Sequence, residues 1–146
     1  MTEEEQREFL LEGHTLQVAS LQSDGRPHLA AMWYALLDGK IAFGTYAKSQ
    51  KVVNLLRDPR ITVMIEDGVR YNEVRGLVID GQAEVIQGNP DLAARVLNAA
   101  GRHQPGDVPE GEMPAEALRA ASKRAVVIVH PEHTYSWDHR KLGGTY

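Results

Sequence analysis

The chain of 146 residues has no cysteine. That absence excludes thiol nucleophiles, thiolate zinc sites and disulfides together. No apolar run approaches the roughly 20 residues of a membrane span. The N-terminal stretch "MTEEEQREFLLEGH" is acidic, whereas a secretory signal needs a basic start followed by a longer apolar segment. A cytoplasmic protein that engages no membrane is therefore expected. The phosphate-cradling loops G-x-x-x-x-G-K-[ST] and G-x-G-x-x-G are missing, as is the G-x-S-x-G turn of many hydrolases. No repeat, low-complexity tract or long linker divides the sequence, so residues 1–146 read as a single domain.

The overall balance is acidic. The net charge is −4 and the isoelectric point about 5.8, which argues against a nucleic-acid partner, since such proteins carry a broad basic face. At 42% hydrophobic and 25% charged the composition is that of a globular protein. At this length folding buries roughly two-thirds of the unfolded surface, so no covalent or metal staple is needed.

Against that background one stretch is locally basic. "TYAKSQKVVNLLRDPR", residues 45–60, carries Lys48, Lys51, Arg57 and Arg60 against the single acid Asp58. The period changes here from strand to helix. "KIAFGTY" reads as a strand, and in "KSQKVVNLLRD" Val52, Val53, Leu55 and Leu56 crowd one side while Lys48, Lys51, Asn54 and Arg57 lie elsewhere. Pro59 ends the helix, because the residue before a proline avoids helical geometry. A helix start has unpaired N–H groups and about half a positive charge, which suits a phosphate. Ser49 adds a hydroxyl, Lys51 and Lys48 add charge, and Thr45 at the strand end reaches the same space. Two readings stay open from the residues alone: an anion site, or a solvated helix face with an ordinary serine cap.

Elsewhere, Asp24-Gly25 and Asp38-Gly39 mark turns between "TLQVASLQ", "HLAAMWYALL" and "KIAFGTY", the pattern of an antiparallel meander. "RITVMIED" and "EVRGLVIDGQAEVI" alternate, the first placing Ile61, Val63 and Ile65 on one face, the second Leu77, Ile79, Ala83 and Val85. Gly76 and Gly81 suit bulges or bends. Asn89 and Pro90 open a helix over "NPDLAARVLNAAG". "RHQPGDVPEGEM" is a polar loop and "RAVVIVHPEHTYSWD" a last strand. Six strands with two to three flanking helices predict an α+β fold, mainly β, as a small antiparallel barrel. Met32 and Trp33 alternate in direction, so one faces inward; either is core or a surface on which a flat ring stacks. His130 and His133, three residues apart on a strand, are expected on opposite faces, so no shared metal is predicted. Tyr71, Tyr46 and His28 can donate protons, and none has an assigned role.

The segment "KIAFGTYAKSQKVVNLLRDPRITVMIED", preceded by "DGRPHLAAMWYALLDG", resembles the strand–helix–strand signature of the pyridoxamine-phosphate-oxidase-like split β-barrels, and the similarity extends more weakly to the final strand. The resemblance implies a six-stranded Greek-key barrel that forms a homodimer, with a cofactor groove at the interface. It places Ser49, Gln50 and Lys51 at the phosphate, with Thr45, Met32 and Trp33 lining the groove; Lys48 and Asn54 join the cofactor-binding candidates. The Gln50–Lys51 pair, where the FMN-dependent oxidases have Arg–Lys, is similar to the branch that uses coenzyme F420, a deazaflavin with a phosphate and an oligoglutamate tail that Lys48 and Arg57 would welcome. What this implies is an F420-dependent oxidoreductase that passes a hydride to an unsaturated small-molecule acceptor. An FMN-binding oxidoreductase, a non-catalytic F420 carrier and a haem-utilising split barrel are the alternatives.

Overall fold

A computed structural model describes residues 1–13, 15–101 and 106–143. Part of the polar loop after residue 101, and residues 144–146, lie outside the described residues. Among those described, seven strands form one antiparallel sheet in the order β2-β1-β5-β6-β7-β4-β3. They are β1 (Thr15–Leu21), β2 (Pro27–Trp33), β3 (Ala35–Leu37), β4 (Lys40–Tyr46), β5 (Arg60–Asp67), β6 (Arg75–Ile86) and β7 (Arg124–Asp138). Four α-helices accompany them: α1 (Glu3–Glu12), α2 (Gln50–Arg57), α3 (Pro90–Ala100) and α4 (Ala115–Ala121). The fold is mainly β and α+β, as the alternation and turn signals require.

The count of strands exceeds six because "HLAAMWYALL" is two strands. β2 pairs with β1 and β3 pairs with β4, at opposite ends of the sheet order, yet only Tyr34 separates them. The sheet must curl until its two edges stand one residue apart, which produces a half-barrel. Tyr34 is buried at this corner, and its hydroxyl donates to the Leu10 carbonyl at 2.5 Å. Burial pushes its phenol well above the ordinary tyrosine range.

Local chemistry accounts for the elements. Thr2 and Glu5 form a capping box on α1, each side chain accepting from the other's backbone. Asn89 accepts from the Leu92 N–H at 3.0 Å to start α3, with Pro90 in the first turn. The β3–β4 hairpin turns on Asp38 and Gly39, both at positive φ (50° and 76°), the geometry of a tight primed turn.

Inward residues of the sheet, including Leu16, Val18, Phe43, Val63, Leu77 and Val127, form the main core. Phe9 of α1 joins it from one end of the barrel and Leu55 of α2 from the other. A second cluster places α3 and α4 over the outer face of β4 and β7, with Leu92 and Val96 against Ala42, Val126 and Ile128. Among the described residues no helix lies over the outer face of β2, β1, β5 and β6, where Leu29 and Trp33 of β2 are exposed at 72% and 63%.

The two glycines expected at bends do different things. At Gly81 the β6–β7 register shifts, leaving Glu132 as the extra residue of a bulge; a Cβ at Gly81 would meet the His130 carbonyl oxygen at 2.2 Å. Gly76 lies instead under the indole of its cross-strand partner Trp137, where a Cβ would fall 2.0 Å from the ring.

Candidate functional site

The junction from β4 to α2 is built by a change of period. Ile41, Phe43 and Thr45 point into the barrel, and the chain then turns at Ala47–Ser49 before Val52 and Leu55 bury the apolar side of α2. Ser49 is the N-cap residue, but its hydroxyl makes no capping bond. It lies 3.5 Å from the Thr45 hydroxyl instead. The first intrahelical bond runs from the Val53 N–H to the Ser49 carbonyl, so the N–H groups of Gln50, Lys51 and Val52 open the helix without an intrahelical acceptor.

Lys51 Nζ donates to Thr45 Oγ1 at 3.2 Å. Burial depresses the Lys51 ammonium below the ordinary lysine value, and among the described residues no carboxylate forms an ion pair with it. A cation whose bonded partner is a neutral hydroxyl keeps its charge for an arriving anion. Thr45, Ser49 and Lys51 are thus brought together, with three backbone donors beside them. This donor set suits a phosphate, which accepts from N–H, O–H and ammonium alike.

The other candidates separate. Lys48 is exposed in the turn, and Gln50 is exposed with its amide donating to Asn54 Oδ1 at 2.8 Å. Asn54, counted among the binding candidates, is fully buried. It donates to Ser20 Oγ at 3.1 Å and accepts from Arg57 at 3.4 Å, so it braces α2 against β1 and presents nothing to a groove. Arg57 also donates to the Leu21 carbonyl, at the opposite end of α2 from Lys51. On β2, Met32 is half-buried against the core while Trp33 is exposed on the outer face. Met32 is therefore the inward one of the pair.

His130 and His133 do not face opposite ways. His130 pairs with Gln82 and His133 with Asp80, two residues that share one face of β6. The Glu132 bulge restores both histidines to the same face, which strict alternation had denied. His130 is engaged with Glu84 at 2.7 Å, and among the described residues no group of three or more His, Asp or Glu is arranged to hold a metal. No helix among them is long and apolar enough to cross a membrane.

Sequence reasoning missed Lys123 and Arg124. The Ala47 N–H donates to the Lys123 carbonyl at 3.0 Å, and Thr45 pairs with Ala125 and Tyr46 with Arg124. The Arg124 guanidinium lies 3.8 Å from the Tyr46 ring centroid. The only sequence signal was a basic dipeptide opening a strand, about as common as any surface pair. Clefts of ≈ 400 Å³ and ≈ 420 Å³ lie elsewhere, the first beside Ser20, Thr62 and Asp80 and the second beside Leu10, Leu36 and Pro131. The Thr45–Ser49–Lys51 site lines neither.

The family model described as pyridoxamine 5'-phosphate oxidase matches residues 2–138. No curated protein matches the sequence at a significant level. Among solved structures, the conserved hypothetical protein Rv2991 from Mycobacterium tuberculosis is similar at 39% identity and a TM-score of 0.83, over 100% of this chain and 90% of that one. An F420 reductase is similar at 25% identity and a TM-score of 0.65, over 88% of this chain and 94% of that one. The haem storage protein HutZ from Vibrio cholerae shares the fold at 18% identity and a TM-score of 0.66, with 93% of each chain covered.

Proposed function

The chain belongs to the pyridoxamine 5'-phosphate oxidase family, and on that premise we propose that it is an oxidoreductase that uses coenzyme F420 and reduces an unsaturated small-molecule acceptor. The observation that carries this reading is the Lys51–Thr45–Ser49 cluster at the start of α2, a partly buried cation and two hydroxyls with no carboxylate paired to the lysine. The similarity to an F420 reductase over 88% of the chain supports a deazaflavin as the ring attached to that phosphate.

When bound, the reduced cofactor supplies a hydride. The chain's own residues grip, orient and shield. Lys51, Ser49, Thr45 and the backbone N–H groups of Gln50, Lys51 and Val52 hold the phosphate, fixing one end of a long ligand. Holding donor and acceptor in contact contributes proximity, and removing water limits side reactions.

The shielding surface is proposed to come from a second copy of the chain. Two features support a homodimer. The phosphate cluster is open in the single chain, lining neither of the two large clefts. The outer face of β2 exposes Leu29 and Trp33 with no helix over it among the described residues; exposed apolar side chains grouped in this way mark association surfaces.

A side-by-side fluorescence and absorbance titration of the purified protein with coenzyme F420 and with FMN tests the cofactor. Saturable binding of the deazaflavin, with FMN weaker, is expected; tighter FMN binding would replace the deazaflavin reading by a flavin one. Turnover of reduced F420 with enone or quinone acceptors separates an enzyme from a carrier.

A further inference from the structure

Helix α1 has two apolar sides. Phe9 is buried in the main core, whereas Leu10 is half-buried and Leu11 is exposed. Both leucines line the cleft of ≈ 420 Å³ between α1, the β3–β4 hairpin and the inner face of β6 and β7. Glu3, Gln6 and Arg7 extend the same helical wall, at the spacing of side-chain neighbours on one face. Leu36, Leu77 and Ile79 make the floor apolar. β4 pairs with β7 no further than Ile128, so Pro131 and Thr134 on the inner face of β7 stay exposed and form the far wall.

The walls are held in place. Gln6 donates to Ser136 Oγ at 3.2 Å, the Tyr34 hydroxyl donates to the Leu10 carbonyl, and Lys141 pairs with Glu5. A preformed concavity of a few hundred Å³, with an apolar floor and a few polar groups at its mouth, is the form of a small-molecule site. Leu10, Leu77 and Ile79 also line a separate void too narrow for water, so the floor has room to yield to an apolar body. The cleft is distinct from the Lys51 cluster. Gly39 borders it just before β4 begins, and Thr45 lies near the end of that strand, a separation on the order of 20 Å at about 3.3 Å per residue.

Charge selects the occupant. Residues 1–13 carry Glu3, Glu4, Glu5, Glu8 and Glu12 against Arg7 alone. Lys141 pairs with Glu5 and Arg75 with Glu12. Glu3 and Asp107, both lining the cleft, have no ion pair among the described residues. Arg7 is the one cation in the lining, so two carboxylates stand against one guanidinium at the mouth. We propose that this cleft is a second ligand site, for a small molecule with an apolar body and an ammonium end. The body covers Leu10, Leu11 and the floor, and the ammonium meets Glu3 and Asp107. The site is independent of the cofactor reading.

Amide NMR titrations of the full chain with phenylbutylamine, phenylbutanol and phenylbutyrate test it. These probes share one apolar body and differ in the charge at its end. Wild type is expected to bind the amine saturably and about three- to tenfold more tightly than the carboxylate, the range for two exposed ion pairs. Shift changes are expected in α1, at residues 36–39 and at residues 131–134. A Glu3→Gln, Asp107→Asn double variant is expected to lose the preference for the amine while binding the alcohol as wild type does. Leu11→Gln, at an exposed position, is expected to weaken all three probes. No saturable binding, equal or tighter binding of the carboxylate by wild type, a preference that survives the double variant, an unweakened Leu11→Gln variant, or shift changes centred on Thr45–Lys51 would each overturn the proposal.

Discussion

Lys51 Nζ and Thr45 Oγ1 lie 3.2 Å apart, joining the first turn of α2 to the last inward residue of β4. The contact holds a partly desolvated cation in a fixed direction without neutralising it. Replacing Lys51 with Ala is expected to weaken cofactor binding by about 1.5–3 kcal/mol, the range for a hydrogen bond to a charged group. Thr45→Val is expected to cost less, about 0.5–1.5 kcal/mol, because the hydroxyl is neutral. Fluorescence titration of both variants checks the order; equal losses would mean that the lysine acts through no charge of its own.

The pH dependence has a defined sign. The Lys51 ammonium sits below its ordinary value of 10.5 because of burial. Phosphate binding needs the charged form, so affinity is expected to be full below the lowered value and to fall as pH rises through it. Folding responds the other way. The folded chain gives up this proton more readily than the unfolded one, so the cost of burying the charge is present below the lowered value and gone above 10.5. Cofactor affinity should therefore fall with pH while Lys51's contribution to stability rises. Comparing wild type with Lys51→Met by titration and denaturant melt across pH 7 to 10.5 tests both signs.

Asn54 is fully buried and bonded to Ser20, Gln50 and Arg57. Asn54→Ala leaves the buried Ser20 hydroxyl without its partner and is expected to cost about 1–3 kcal/mol of stability, measured by urea denaturation. Cofactor affinity should fall as well, since the same brace fixes the angle at which α2 meets the phosphate. A stable variant with wild-type affinity would show that β4 alone positions the site.

Gly76 and Trp137 form a cross-strand pair in which the indole occupies the place of a Cβ. Gly76→Ala is expected to destabilise by about 1–3 kcal/mol through overpacking. In a Trp137→Ala background most of that cost should vanish, and a thermodynamic cycle of melts reads the coupling directly. An undiminished cost would place the strain in the backbone.

Leu29 and Trp33 are large apolar side chains exposed on the uncovered sheet face. Leu29→Asp with Trp33→Asp is expected to convert the proposed dimer to a monomer in light scattering, with little loss of monomer stability because neither side chain is core. A monomeric wild type would remove the second copy from the site.

Much of the architecture was legible because it is written in short-range pattern. Ile61, Val63 and Ile65 alternate inward as β5, Asn89 and Pro90 start α3 where a cap and a first-turn proline should, and Asp38-Gly39 turns the hairpin. The basic run at the β4–α2 junction was legible for the same reason, since Thr45, Ser49 and Lys51 fall within seven consecutive residues whose period switches in the middle.

What local pattern could not determine depends on contacts between distant segments. Tyr34 splits an apparently continuous strand because the curled sheet needs a corner there. The Glu132 bulge reverses the direction expected for one histidine because an extra residue on β7 has to be absorbed opposite Gly81. Asn54 became a brace because Ser20, 34 residues away, reaches it. Lys123 and Arg124 stand opposite Ala47 and Tyr46 because β7 returns beside β4. By itself the sequence determined which residues alternate, cap and turn, since those preferences act within a few residues. The tertiary structure alone decided which cations share an edge and which polar groups are spent internally, because only chain return brings segments more than seventy residues apart into hydrogen-bonding register.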